Sequence, residues 1–149
     1  MFPICIRYIG DRVQAEDVLQ DGFITLFDKL ESYKGEGSFE GWARKIFVTT
    51  ALMSLRKKDA LKMSEELDTA RGMKAETVSQ VQNIGYKELM KLIMSLPHGF
   101  RTVFNLYSIE GYSHKEIGEM LGISETTSRT QLSRARIWLQ KKIKESENV

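Results

Sequence analysis

Apolar residues recur along this chain at steps of three and four, the period of an α-helix. Over residues 15–33 the positions Val18, Leu19, Phe23, Leu26, Phe27 and Leu30 form such a stripe, with carboxylates on the opposite side. Gly35 and Gly37 predict an end to this helix near Tyr33, because glycine is costly inside a helix. Ser38 then offers a cap to a second helix, whose inner face reads Phe39, Trp42, Ile46, Phe47, Thr50 and Leu55. That helix runs to about Lys58, and the cations Arg56, Lys57 and Lys58 suit its C-terminal end. A third helix over 85–96 turns Leu89, Leu92, Ile93 and Leu96 inward and is broken by Pro97-His98-Gly99. A fourth covers 100–109 and stops at Glu110-Gly111. No segment alternates convincingly with period two, so the expected fold is all-α, in two halves.

Residues 112–144 read YSHKEIGEMLGISETTSRTQLSRARIWLQKKIK. Ser113 and Glu116 have the spacing of a capping box, and Ile117, Met120 and Leu121 form the buried stripe behind it. Gly118 is small where a second helix must pass closely. Gly122 falls where a sharp turn needs a positive φ, and Ile123 plugs the corner. Ser124 caps a long last helix with an apolar seam of Leu132, Ala135, Leu139 and Ile143. These offsets spell a helix-turn-helix. The early polar face of the last helix carries Thr126, Thr127, Arg129, Thr130, Ser133 and Arg134. Hydroxyls and guanidinium groups there suit a major groove, since they reach base edges and phosphates without a repelling carboxylate. Glu125 is the exception, placed where the helix dipole favours a negative charge.

Charge sharpens the picture. The formal net charge of +2 hides blocks of alternating sign. Residues 11–40 hold eight acids against three bases, and residues 41–58 hold five bases and no acid. Residues 59–84 hold five acids against three bases and no aromatic residue, which reads as a linker. Residues 129–144 hold six bases and no acid. Such blocks suit a chain in which one face meets a polyanion and another a basic protein, and equally plain solvated helix faces. Within the first basic block, Trp42 beside Arg44 and Lys45 can stack on an unpaired nucleotide while the cations hold its phosphates, although packing in the core is the plainer role for a tryptophan.

Composition removes other classes of function. The 149 residues are 42% hydrophobic and 28% charged, as in a soluble globular chain, and no apolar run approaches the ~18 residues of a membrane span. Cys5 is alone, so no internal disulfide forms and a reducing, cytoplasmic location is expected. One cysteine and two distant histidines, His98 and His114, exclude a zinc finger, and no metal or other cofactor is expected. There is no glycine-rich phosphate loop, no nucleophile elbow and no paired-carboxylate constellation, so an enzyme is not expected.

The order of acidic helix, glycine loop, aromatic-basic helix, acidic linker and helix-turn-helix resembles the bacterial sigma-70 family, in its small extracytoplasmic-function group. AEDVLQDGFITLF (15–27) is similar to the core-polymerase-binding helix of that family. SFEGWARKIFVTTALMSLRKK (38–58) is similar to its promoter-melting and −10 recognition helix, and residues 96–140 to its −35-binding domain. The resemblance implies a region 2-like domain over 1–58, a linker over 59–84 and a region 4-like, winged-helix-like helix-turn-helix domain over 85–149. It implies that Glu16, Asp17, Leu19, Gln20, Asp21 and Phe23 dock against a basic coiled coil of the largest polymerase subunit. It implies that Trp42, Arg44, Lys45, Thr49 and Arg56 lie at the −10 element, and that Lys115, Thr126, Thr127, Arg129, Thr130, Ser133 and Arg134 lie at the −35 element. The implied partners are core RNA polymerase, promoter DNA and, as in many members, an anti-sigma factor.

Three departures from the family pattern stand out. The chain starts in what looks like the family's second helix, so either it is shortened or its start is misplaced, and a missing first helix is expected to leave Phe2, Ile6 and Ile9 bare. Thr49 and Met53 stand where the family commonly has Asn and Asp, and Met supplies no equivalent acceptor for a flipped base. Ser128 replaces a branched apolar residue on the recognition helix, which is expected to soften packing. The functional expectation is a promoter-specificity subunit of RNA polymerase. The alternatives are a stand-alone helix-turn-helix regulator, in which the acidic helix has no role, and an inactive truncated relative acting as an interaction module.

Overall fold

The computed structural model describes residues 1–62 and 85–148, with the side chains of 59–62 excepted. The described residues are helical with no strand among them, and they fall into two compact units, one within Met1–Thr69 and one within Ala70–Val149.

The first unit packs α1 (Phe2–Ile9), α2 (Arg12–Asp28) and α3 (Phe39–Lys62) against one another. Gly10 ends α1 in the left-handed region at φ 77°, and its N–H donates to the Ile6 carbonyl at 2.8 Å. Asp11 then caps α2, accepting from the Gln14 N–H at 2.9 Å. Ile4, Tyr8, Val18, Phe47, Val48, Ala51 and Leu52 make the core. The short α1 seals the faces expected to be bare: Ile9 is buried and Phe2 and Ile6 are half-buried, because α1 contacts both longer helices.

The buried edge of α2 is Ala15, Val18, Gly22 and Leu26, which keeps Val18 and Leu26 of the expected stripe and leaves out its other members. Phe23, Phe27 and Leu30 are 41%, 66% and 43% exposed, and Leu19 is half-buried. The reason is steric: a Cβ at position 22 would collide with the Phe47 ring, so the edge that carries Gly22 is the one that can lie against α3, and Phe23 and Phe27 are left outside. α2 also ends five residues earlier than expected, giving way to a 3-10 turn over Leu30–Ser32. α3 continues past Lys58 to Lys62, since nothing in 59–62 breaks a helix. The rest of the expected acidic linker lies outside the described residues. On α3, Phe39 is exposed and Trp42 and Thr50 are half-buried, whereas Ile46, Phe47 and Leu55 are buried as the pattern requires.

The second unit consists of α4 (Tyr86–Ser95), α5 (His98–Phe104), a π turn (Asn105–Ile109), α6 (His114–Leu121) and α7 (Glu125–Glu147). Leu96, Phe100, Ala135 and Leu139 form its core with Leu92, Phe104 and Trp138 packed around them. Arg101 ties α5 to α4 by donating from Nη1 to the Met94 carbonyl at 2.7 Å. Leu89, expected inside, is 36% exposed. The fourth expected helix is regular only to Phe104; its last turn widens, with the Glu110 N–H reaching back to the Asn105 carbonyl at 3.0 Å. The widened turn buries Asn105 and Leu106 together.

Candidate nucleic-acid interface

The junction of α6 and α7 is built as the sequence predicts. The Ser113 N–H donates to Glu116 Oε2 at 2.7 Å, and the Glu116 N–H donates to Ser113 Oγ at 3.2 Å, closing the capping box. Gly122 takes φ 68° and turns the chain. The Ile123 N–H donates to the Gly118 carbonyl at 3.0 Å, and a Cβ at position 118 would lie 2.6 Å from the Ile123 carbonyl oxygen. Ser124 Oγ accepts from the Thr127 N–H at 3.0 Å and caps α7.

With Ser128, Leu132, Ala135, Leu139 and Ile143 on the buried seam, the early turns of α7 show their remaining residues to solvent. Thr126, Thr127, Arg129, Thr130 and Ser133 are exposed, Arg134 is half-buried, and Lys115 is exposed on α6. The Thr127 hydroxyl is engaged by the cap, 2.9 Å from Ser124 Oγ, and the Thr130 hydroxyl donates to the Thr126 carbonyl at 3.0 Å. Arg129 Nη2 donates to Glu125 Oε2 at 3.2 Å. Both partners of this pair are largely in solvent, so it stabilises little and yields readily to a phosphate or a base.

Ser128 does not loosen the packing. It is fully buried, and its hydroxyl lies 2.8 Å from His114 Nδ1 at the start of α6. The His114 ring stacks on Tyr107 at 4.4 Å and 15°, and the Arg136 guanidinium lies 5.9 Å from the centre of the Tyr107 ring. Burial, then the Arg129 and Arg136 charges, hold the imidazole below its ordinary proton affinity, against an opposing pull from Glu125. Neither composition nor any motif singles out this cluster. Its signal was a hydroxyl at a seam position, with a histidine at the start of the preceding helix.

In the first unit, Glu16, Asp17, Gln20 and Asp21 are exposed on α2, beside the exposed Phe23, Ile24 and Phe27. Glu16 Oε1 accepts from Arg12 Nε at 3.1 Å. On α3, helical spacing brings Trp42, Lys45, Thr49, Met53 and Arg56 to one side. Arg44 falls on the other side of the helix and is half-buried, so the structure does not bring it to that face. Trp42 is neither free nor in the core: its ring lies 5.2 Å from Tyr33 and 5.6 Å from Phe39, which are 5.3 Å apart. The Tyr33 hydroxyl donates to the Gly37 carbonyl at 3.0 Å, so the glycine loop itself helps hold this three-ring cluster. The Thr49 hydroxyl donates to the Lys45 carbonyl at 2.7 Å, and Met53 is 55% exposed. Among the described residues no group of His, Cys, Asp and Glu could hold a metal ion, and no helix is long and apolar enough to cross a membrane.

Comparison with known proteins matches this division. The family model for sigma-70 region 2 covers residues 2–61, and the one for sigma-70, region 4 covers residues 86–139. The chain is 31% identical over 141 residues to the ECF RNA polymerase sigma factor SigE of Mycolicibacterium smegmatis, an alignment spanning 91% of this chain and 54% of that protein. It is 29% identical to the ECF RNA polymerase sigma factor SigW of Bacillus subtilis, spanning 97% of this chain and 83% of that one. Among solved structures, the sigma factor RpoE of Bartonella quintana, in complex with the anti-sigma factor NepR, shares the fold with a TM-score of 0.59 and 19% identity. That match covers 96% of this chain and 89% of the other. With helices, motif geometry and two regions matched in chain order, the protein belongs to the sigma-70 family, in its extracytoplasmic-function group.

Proposed function

We propose that the protein directs core RNA polymerase to promoters, with a region 2-like domain over 1–58, a linker over 59–84 and a region 4-like domain over 85–149. The early turns of α7 enter the major groove of the −35 element, where Arg129, Thr130, Ser133 and Arg134 meet bases and backbone and Thr126, Thr127 and Lys115 support them. The Trp42, Lys45, Thr49 and Arg56 face of α3 meets the −10 element and helps hold a separated strand, a face from which Arg44 is turned away. Glu16, Asp17, Gln20 and Asp21, with Leu19 and Phe23, form the surface for a basic coiled coil of the polymerase. The chain selects a start site and promotes opening with no bond chemistry of its own, in the cytoplasm where the polymerase works. An anti-sigma partner is consistent with the NepR-bound state of the Bartonella quintana relative.

The observation that carries this reading is the α7 face. Six early polar residues are fixed on a helix that a capped, glycine-cornered partner holds in place, and the sole acid among its exposed early positions is tied to Arg129. A stand-alone regulator uses that face but leaves the acidic-apolar outer surface of α2 without a role. Run-off transcription with core polymerase is the direct test. A transcript that requires this chain and both promoter elements is expected; no chain-dependent product on any promoter of a genomic library would refute the reading.

A further inference from the structure

The cluster around His114 belongs to none of the roles above, yet it joins three elements. His114 opens α6, Tyr107 belongs to the π turn, and Ser128 sits in the second turn of α7. A hydroxyl buried without a partner costs about 1–3 kcal/mol, so the His114–Ser128 bond fixes the two helices at one relative position. The ring is held flat on Tyr107, which removes the freedom to swing out of that bond.

Resting on the DNA-binding reading of α7, we propose that His114 is a positioning residue for that helix, and that duplex DNA on α7 draws a proton onto its ring.

From α7 the imidazole faces Arg129, Arg136 and Glu125; from the π turn and the loop after it, Tyr107 and Tyr112; on α6 itself, Lys115 and Glu116. In the free protein burial, and then the two arginines, disfavour the charged ring, with the Glu125 charge opposing them. Phosphates laid along α7 screen Arg129 and Arg136 and add negative charge, so the penalty on the imidazolium falls. Once protonated, Nδ1 can only donate, and its bond to Ser128 Oγ becomes charge-assisted and stronger than the neutral one. DNA thus tightens the clamp that orients the helix reading it. By reciprocity, a proton on His114 tightens DNA. The sign follows: affinity rises as pH falls through the proton affinity of the DNA-bound ring, and levels off below that of the free ring.

The test is fluorescence anisotropy of a labelled −35 duplex with the full chain, alone and with core polymerase, from about pH 8 to about pH 5.5. Wild type is expected to bind about three- to tenfold tighter at the acid end. H114Q keeps a side chain able to hydrogen-bond Ser128 but cannot titrate; it matches wild type at the alkaline end and shows no gain in acid. H114A loses the bond as well and binds more weakly at every pH. H98Q, which removes the other histidine, keeps the wild-type slope. A salt-dependent but pH-flat wild type, or an H114Q variant with the full acid gain, overturns the proposal while the DNA reading stands. Absence of salt-dependent duplex binding in either format overturns the DNA reading and the proposal with it.

Discussion

Phe47 of α3 occupies the space above Gly22 of α2 that any side chain at position 22 would need. The same ring meets Phe23 edge-on, with centroids 5.0 Å apart and planes at 79°. The close approach of the two helices therefore depends on a large residue and a missing one together. Gly22→Ala is expected to destabilise the first unit by about 1–3 kcal/mol, because the ring must move within a filled core. Phe47→Ala alone leaves a cavity and costs about 3–5 kcal/mol. The double variant is expected to cost clearly less than the two singles combined, as a double-mutant cycle by urea denaturation will report.

On α7, Arg129→Ala is expected to weaken binding to a −35 duplex by about 1–3 kcal/mol if the guanidinium reads a base. Its pair with Glu125 is exposed, so thermal stability should change by no more than about 0.5 kcal/mol. Anisotropy titration beside a melting curve separates the two effects.

Binding by this face should also fall steeply with salt. The six bases of residues 129–144 place several cations along α7, and each phosphate neutralised releases a counterion. A plot of log affinity against log salt should give a straight line of negative slope, shallower by about one in Lys141→Gln if that lysine meets a phosphate.

The outer surface of α2 predicts a loss of partner without loss of fold. Phe27 is 66% exposed, and Phe27→Ser is expected to leave stability within about 0.5 kcal/mol. Asp21→Lys reverses a charge on the same exposed surface. Both variants should lower the amount of core polymerase retained in a pull-down, with unchanged circular dichroism.

The α6 cap gives a local stability test. Ser113→Ala removes the acceptor of the Glu116 N–H and is expected to cost about 1 kcal/mol. Gly118→Val places a branched side chain against the Ile123 carbonyl and should cost about 1–3 kcal/mol in denaturant unfolding.

Much of this architecture was readable from local rules. The Ser113–Glu116 box, the left-handed Gly122, the small Gly118 and the Ser124 cap are each dictated by a few neighbouring residues, and each stands where the pattern put it. What was not readable depends on partners far away in the chain. Nothing near Phe23 or Phe27 says that Gly22 will be the contact and that they will be left outside; Phe47, 25 positions after Gly22, decides that. The N-terminal face is covered for the same reason, since α1 finds two helices to lie on. Ser128 looked like a packing defect because its partner His114 lies fourteen residues back. Trp42 fell between its two expected roles, because Tyr33 and Phe39 hold it at the surface.

α7 runs for 23 residues, about 34 Å of unbroken helix, and its length separates two duties. Leu132, Ala135, Leu139 and Ile143 clamp the rod into its own unit along one edge, while most of the opposite edge near its beginning faces solvent. Residues on that free edge can be exchanged with almost no toll on folding. A chain built this way can change which promoters it prefers by a handful of surface substitutions, leaving the scaffold that presents them intact.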